Sequence, residues 1–171
     1  MKKTVCVYTD GSSRGNPGPG GYGSILKYTD ASDVEHVKEL SCGYELTTNN
    51  RMEIMGVIAA LELLKTPCKV KLTTDSQYVA NAISRGWLLS WKQKGWKGSN
   101  KKPVKNIDLW MRMDELLSLH DVDVVWVKGH AGHPENERCD FLATSAADSE
   151  NLLVDEGYEN DADAPAIDGL F

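Results

Sequence analysis

The chain of 171 residues contains no run of 18 apolar residues, so nothing in it reads as a membrane-spanning helix. The opening MKKTVCVYTD has two lysines but no long apolar stretch, and it passes directly into a strand-like pattern, which argues against a secretory signal. There are only four cysteines, Cys6, Cys42, Cys68 and Cys139, and none has CxxC spacing. They are expected to be reduced core thiols rather than a disulfide frame, which points to the cytoplasm. No internal repeat occurs. The glycine-rich stretch GSSRGNPGPGGYG follows a strand pattern but has neither the GxGxxG nor the GxxxxGK[ST] form, so it reads as a turn cluster rather than a nucleotide cradle. Lys and Arg are absent from residues 148–171, which hold eight acids. Residues 151–171 are therefore expected to be a disordered acidic tail, leaving residues 1–150 as one domain.

A net charge of -6 argues at first against a nucleic-acid partner, but its distribution argues for one. Between Arg85 and Arg112 there are eight Lys/Arg and one acid, a net +7 that leaves -13 for the rest of the chain. This basic block is interleaved with Trp87, Trp91, Trp96 and Trp110. Positive charge mixed with aromatic faces is the footprint of a surface that tracks phosphates.

The hydropathy pattern predicts strands at residues 4–10, 22–28 and 34–46, with connections too short for helices, so these should pair antiparallel. Residues 49–65 predict a helix that is apolar nearly all round and therefore buried, ended by Pro67. Strands at 70–75 and 122–128 are separated by helical segments at 76–84, 88–94 and 106–120, so they should run parallel to the first strand. A last helix begins near Pro134. The expected architecture is α/β, a five-stranded mixed sheet of three antiparallel strands then two parallel, flanked by helices.

Four acids fall at the ends of these elements. Asp10 lies past the centre of the first strand, Asp75 at the carboxyl end of the fourth, Glu53 in the first turn of the buried helix and Asp140 on the last helix. Ligand sites in α/β sheets gather at the carboxyl ends of parallel strands. Carboxylates packed together repel and call for cations, and an all-oxygen ligand set suits Mg²⁺, with Mn²⁺ as a substitute. A pair of such ions on a phosphodiester would activate water on one side and stabilise the leaving oxygen on the other. Each acid alone has a plainer explanation. Glu53 completes an Asn50-x-x-Glu53 capping box, Asp75 could cap the helix after it, Asp10 precedes Gly11 as turn residues do, and Asp140 could be a surface acid.

TDGSSRGNPGPGGYG, TTNNRMEIMG, TDSQYV, KKPVKNIDLW and VKGHAGHPENERCD resemble, in order and in spacing, the signature blocks of the bacterial ribonuclease HI family. The resemblance covers about residues 4–148. It implies the ribonuclease H-like fold, a Mg²⁺ requirement, and endonucleolytic hydrolysis of RNA paired with DNA that leaves 5′-phosphate and 3′-hydroxyl ends, as in removal of RNA primers and R-loops; no oligomer signal stands out in the sequence, so a monomer is the expected state. Position by position it implies that Asp10, Glu53, Asp75 and Asp140 hold the metal ions and that His130 assists proton transfer or product release. Asn16, Asn49 and Gln77 would read the minor groove and ribose, Thr48 and Asn106 would grip a DNA phosphate, and Trp87 and Trp110 would line the channel under the DNA strand. Residues 85–105, with Lys92 and Lys94, correspond to the family's basic handle. Here Gln93 interrupts the basic run, and the segment before Trp87 is one residue longer than the family pattern. Two other readings are a hybrid-binding module without catalysis and a nuclease of the same fold with another substrate. A zinc site at His130, His133 and Cys139 lacks a convincing fourth ligand.

Overall fold

The computed structural model describes residues 2–129 and 132–159. Its strands are β1 (Lys3–Ser13), β2 (Gly18–Thr29), β3 (Glu35–Thr47), β4 (Cys68–Thr74) and β5 (Asp121–Trp126). Its helices are α1 (Asn49–Leu63), α2 (Gln77–Ser84), α3 (Trp87–Gln93), α4 (Ile107–Leu119), α5 (Pro134–Ala147) and the single turn α6 (Glu156–Glu159). The five strands form one sheet in the order β3-β2-β1-β4-β5. β1, β2 and β3 pair antiparallel, while β4 runs parallel to β1 and β5 parallel to β4, as the connection lengths require.

One face of the sheet rests on α1. Val5 and Val7 of β1 lie in register with Val70 and Leu72 of β4, and all four are buried. They meet the buried side chains Met52, Ile54, Val57, Ile58 and Leu61 of α1. The helix is wrapped on its far side by α4, which contributes Leu109, Trp110 and Met113 to the same core. That double coverage is why α1 has no polar stripe.

The opposite face is covered by α5, and here the glycine-rich stretch does something other than turn. Only residues 14–17 connect β1 to β2, and Gly18–Thr29 is strand throughout. The glycines let α5 lie against the sheet. A Cβ on Gly23 would overlap the carbonyl of Cys139 and come within 2.6 Å of the Leu142 Cβ. The turn reading is thereby corrected: a glycine cluster also marks close approach of another backbone.

The domain boundary expected at residue 150 also differs. Residues 152–159 fold back onto the body. Leu153 bridges to Tyr44 beside β3, and Asp155 and Tyr158 are buried. Arg51 of α1 captures Asp155 through two hydrogen bonds, of 2.7 and 2.9 Å. Acidic composition alone does not reveal a basic partner more than a hundred residues earlier. The remainder of the expected tail, residues 160–171, lies outside the described residues. All four cysteines are free, with Cys68 and Cys139 buried and Cys6 and Cys42 only partly so. Among the described residues no helix is long and apolar enough to cross a membrane.

Replacing Gly23 with Ala should overpack the α5–β2 contact and cost about 1–3 kcal/mol. Thermal unfolding at fixed pH checks this, and an unchanged midpoint would show that α5 shifts freely on the sheet.

Candidate active site and nucleic-acid interface

β1 and β4 are neighbours with Thr9 opposite Thr74, so the next residues, Asp10 and Asp75, emerge side by side. α1 delivers Glu53 to the same point. Ligand oxygens of Asp10, Glu53 and Asp75 all lie within 4.8 Å of one another. Asp140 of α5 is not part of that tight group, yet its charge acts on Asp10.

The plainer explanations of these acids do not describe what the structure shows. Thr48 caps α1, its hydroxyl accepting from the Arg51 N–H at 3.2 Å, so Glu53 is not half of a capping box. Ser76 caps α2 by accepting from the Val79 N–H at 3.2 Å, which leaves Asp75 out of the cap. Asp10 lies inside β1 rather than in a turn.

Gly11 joins the two buried acids. Its N–H donates both to Asp10 Oδ1, at 2.9 Å, and to Glu53 Oε1, at 3.0 Å. The approach is possible only because position 11 has no Cβ, which would overlap the backbone of Met52 and Glu53. Trp126, at the end of β5, donates its indole N–H to the Asp75 carbonyl at 3.0 Å and so fixes the chain where β4 ends.

The electrostatics of the cluster are unfavourable without a cation. Burial pushes the Asp10 carboxyl up to about 7, and the charges of Asp75 and Asp140 add to the rise against the hydrogen bond with Glu53. Glu53 is driven well above the usual carboxylate range, first by burial and then by the Asp10 charge. Its Oε2 atom is buried with no hydrogen-bond partner. A buried orphan oxygen on a member of a carboxylate cluster is a poor end state for a protein and a good ligand for a hard cation. The residues present therefore fit a Mg²⁺-type ion.

Around the cluster, Asn16 accepts from the Asn49 N–H at 3.1 Å, tying the β1–β2 turn to the start of α1. Both residues are exposed, as is Gln77, the first residue of α2. Asn106 is buried and holds a left-handed backbone with φ of 60°. Its Nδ2 donates to the Tyr78 hydroxyl at 3.3 Å.

Trp110 departs from the expectation of a channel-lining residue. It is wholly buried, with its indole N–H donating to the Tyr78 hydroxyl at 2.8 Å. Trp91 packs on it with ring centroids 5.6 Å apart, Trp87 packs on Trp91 at 6.4 Å, and only Trp87 is substantially exposed. The aromatic surface is thus one ring supported by two beneath it. α4 places residue 110 toward α1, and the large ring fills the core there.

The basic block splits. Arg112 leaves it to pair with Glu62 at 2.7 Å. Lys92 pairs with Asp114 at 3.0 Å, while Lys94 is exposed. A small antiparallel bridge, Lys97 to Pro103, carries Lys97, Lys101 and Lys102 on a projecting loop. His130 lies outside the described residues. His133 is exposed and Cys139 is buried with its thiol on the Tyr8 carbonyl, and among the described residues they form no metal-binding group.

Tyr78, Arg51 and Asp155 carry no functional signal in the sequence reading above. Tyr78 lies within the TDSQYV block, whereas nothing local marks Asp155.

Comparison with known proteins agrees with this geometry. The RNase H family model matches residues 2–148. A relative named Ribonuclease H from Tolumonas auensis is 57% identical over 158 residues, covering 92% of this chain and 99% of its own length. Among solved structures, LC9-RNase H1, a type 1 RNase H with the type 2 active-site motif, is 35% identical with a TM-score of 0.80, over 93% of this chain and 80% of that one. LC11-RNase H1, solved in complex with an RNA/DNA hybrid, is 25% identical with a TM-score of 0.59, over 84% and 96% of the two chains.

Because the folded Asp10 pKa of about 7 lies above its unfolded value, the folded protein holds the extra proton in between. Stability without metal should therefore fall as pH rises from about 4 to 7. A bound cation reverses the penalty, so Mg²⁺ should raise the unfolding midpoint more at pH 8 than at pH 5.5, and an equal rise at both would contradict this. Separately, Gly11→Ala should displace the first turn of α1, destabilise the fold by about 1–3 kcal/mol and weaken Mg²⁺ binding in a calorimetric titration.

Proposed function

This chain belongs to the RNase H family, and from that premise we propose that it hydrolyses the RNA strand of RNA–DNA hybrids with divalent metal ions held by Asp10, Glu53, Asp75 and Asp140. The observation that carries the metal assignment is the packing of Asp10, Glu53 and Asp75 within 4.8 Å, with one buried Glu53 oxygen unsatisfied. Asp140 enters through the charge it exerts on Asp10. The all-carboxylate set favours a pair of Mg²⁺ ions, with Mn²⁺ as a substitute.

When bound, such ions supply the Lewis acidity that activates water and offsets charge on the departing oxygen. The protein's own residues do the rest. Lys94, Lys97, Lys101 and Lys102 hold the hybrid's backbone without reading bases, so affinity should be salt-sensitive. Lys92 contributes less, because Asp114 already engages it. The exposed Trp87 ring rests under the DNA strand, stiffened by Trp91 and Trp110. Thr48 and Asn106 donate to a DNA phosphate. Asn16, Asn49 and Gln77 face the minor groove, where an amide both donates to and accepts from a ribose 2′-hydroxyl. That preference for one ribose strand selects hybrid over double-stranded DNA. His130 assists proton transfer or product release. The water's oxygen displaces the ribose 3′-oxygen, giving 3′-hydroxyl and 5′-phosphate ends.

The catalytic acids come from a single copy of the chain, which supports action as a monomer. The four unpaired thiols support the reducing cytoplasm, and removal of primers and R-loops is the cellular task that fits.

A labelled hybrid should be cut only in its RNA strand and only with Mg²⁺ or Mn²⁺, while matched DNA duplex, RNA duplex and single-stranded RNA stay intact. Asp10→Asn should lower the rate by about a thousandfold, the equivalent of about 4 kcal/mol of charge stabilisation, while hybrid binding persists. Cleavage of RNA duplex at a similar rate would overturn the substrate assignment, and near-normal cleavage by Asp10→Asn the site.

A further inference from the structure

Arg51 is nearly inaccessible, at 1% exposure, yet carries a full positive charge, and every N–H of its guanidinium has a partner. Nε and Nη2 donate to Asp155 at 2.7 and 2.9 Å. Nη1 and Nη2 donate to Asp108 at 2.9 and 2.7 Å. The remaining Nη1 hydrogen reaches Asn106 Oδ1 at 3.4 Å. Asp155 is locked further by the Thr47 hydroxyl, which donates to it at 2.6 Å. Stability alone does not call for such a cluster, since apolar side chains of the same volume serve a core equally well.

Its location suggests another purpose. Arg51 touches both residues read above as phosphate ligands, Asn106 through its guanidinium and Thr48 through its backbone N–H. The guanidinium can only donate, so Asn106 must turn its oxygen toward Arg51 and its amide nitrogen the other way. One hydrogen of that nitrogen goes to Tyr78 and the second is available to an anion. The Arg51 backbone N–H donates to the Thr48 oxygen at 3.2 Å, so the Thr48 hydroxyl hydrogen is likewise left for an outside acceptor. Asn106 pairs this role with a left-handed backbone, φ 60°, which a non-glycine residue keeps only where its surroundings hold it.

We propose that Arg51 and Asp155 are positioning residues: segment 152–159, through Asp155, holds the Arg51 guanidinium in the plane that turns the Asn106 amide nitrogen outward, where it joins the Thr48 hydroxyl as a donor to one phosphate of the DNA strand. The segment is thus part of the substrate-binding apparatus although it contacts no substrate. The proposal rests on the reading of Thr48 and Asn106 as phosphate ligands, and its test separates the two.

The test places a single uncharged methylphosphonate at each linkage of the DNA strand in turn and measures hybrid binding to the wild-type protein, to Asp155→Asn, and to the milder Thr47→Val, without divalent cation and well below each unfolding midpoint. For the wild type, one linkage should cost about tenfold in Kd when neutralised, as loss of charge-assisted hydrogen bonds does. Asp155→Asn should bind the unmodified hybrid about tenfold more weakly and lose most of that position-specific penalty, with Thr47→Val between the two. In cleavage assays Asp155→Asn should raise KM with kcat within about twofold, as expected when binding shared by ground and transition states is lost. No sensitive linkage in the wild type would overturn the pocket reading, and the proposal with it. A penalty equally large in wild type and both variants would overturn the positioning role alone and leave Asp155 a purely structural residue.

Discussion

Three carboxylates crowded at the junction of β1, β4 and α1 are the constraint around which this molecule is organised. Left to themselves Asp10, Glu53 and Asp75 would separate or take up protons, and the raised pKa values of Asp10 and Glu53 record that tendency. They stay together because the scaffold permits no alternative. β1 and β4 are parallel neighbours in fixed register, and Gly11 lets the first turn of α1 rest directly on β1. The core behind α1, closed by Leu109, Trp110 and Met113, presses the helix into place. Hydrophobic burial thus supports an arrangement that electrostatics opposes, and a bound cation would remove that opposition.

Two residues before Glu53 on the same helix, Arg51 shows the reverse design. Glu53 is buried with an oxygen unpaired, whereas Arg51 is buried with every donor engaged. Burial pulls Asp108 toward protonation, but Arg51 outweighs it and holds that carboxylate below its ordinary range. An unsatisfied site is open to a ligand, while a satisfied one is rigid. Placing both within one turn of α1 puts a reactive centre beside an anchor that keeps the neighbouring side chains aimed.

The proposed nucleic-acid surface follows the same division between what would touch and what supports. Trp87 is exposed, Trp91 half-buried and Trp110 fully buried, so the contact ring stands on a stack that ends in the core. Tyr78 receives hydrogen bonds from both Trp110 and Asn106 and so ties the aromatic stack to the proposed phosphate pocket. Of the basic side chains between 85 and 112, those on the projecting loop remain free of the ion pairs that engage Lys92 and Arg112.

Local pattern was enough to place the strands, the buried helix and their order, because alternation, helical periodicity and connection length are properties of neighbouring residues. It also singled out the four acids, although Asp10 lies within β1 and Asp140 midway along α5 rather than at element ends, and the succession of signature blocks pointed to the family. Composition marked the basic handle and the glycine stretch, but not what the glycines were for: their use appears only when α5 lies against β2. Whether Trp110 faced solvent or core depended on which side of α4 met α1. The fate of residues 152–159 depended on Arg51 being within reach, which acidic composition could not foretell. Contacts among residues far apart in the chain are set by packing of whole elements, so the spacing within the carboxylate trio, the Trp stack and the Arg51–Asp155 anchor were decided by the tertiary structure alone.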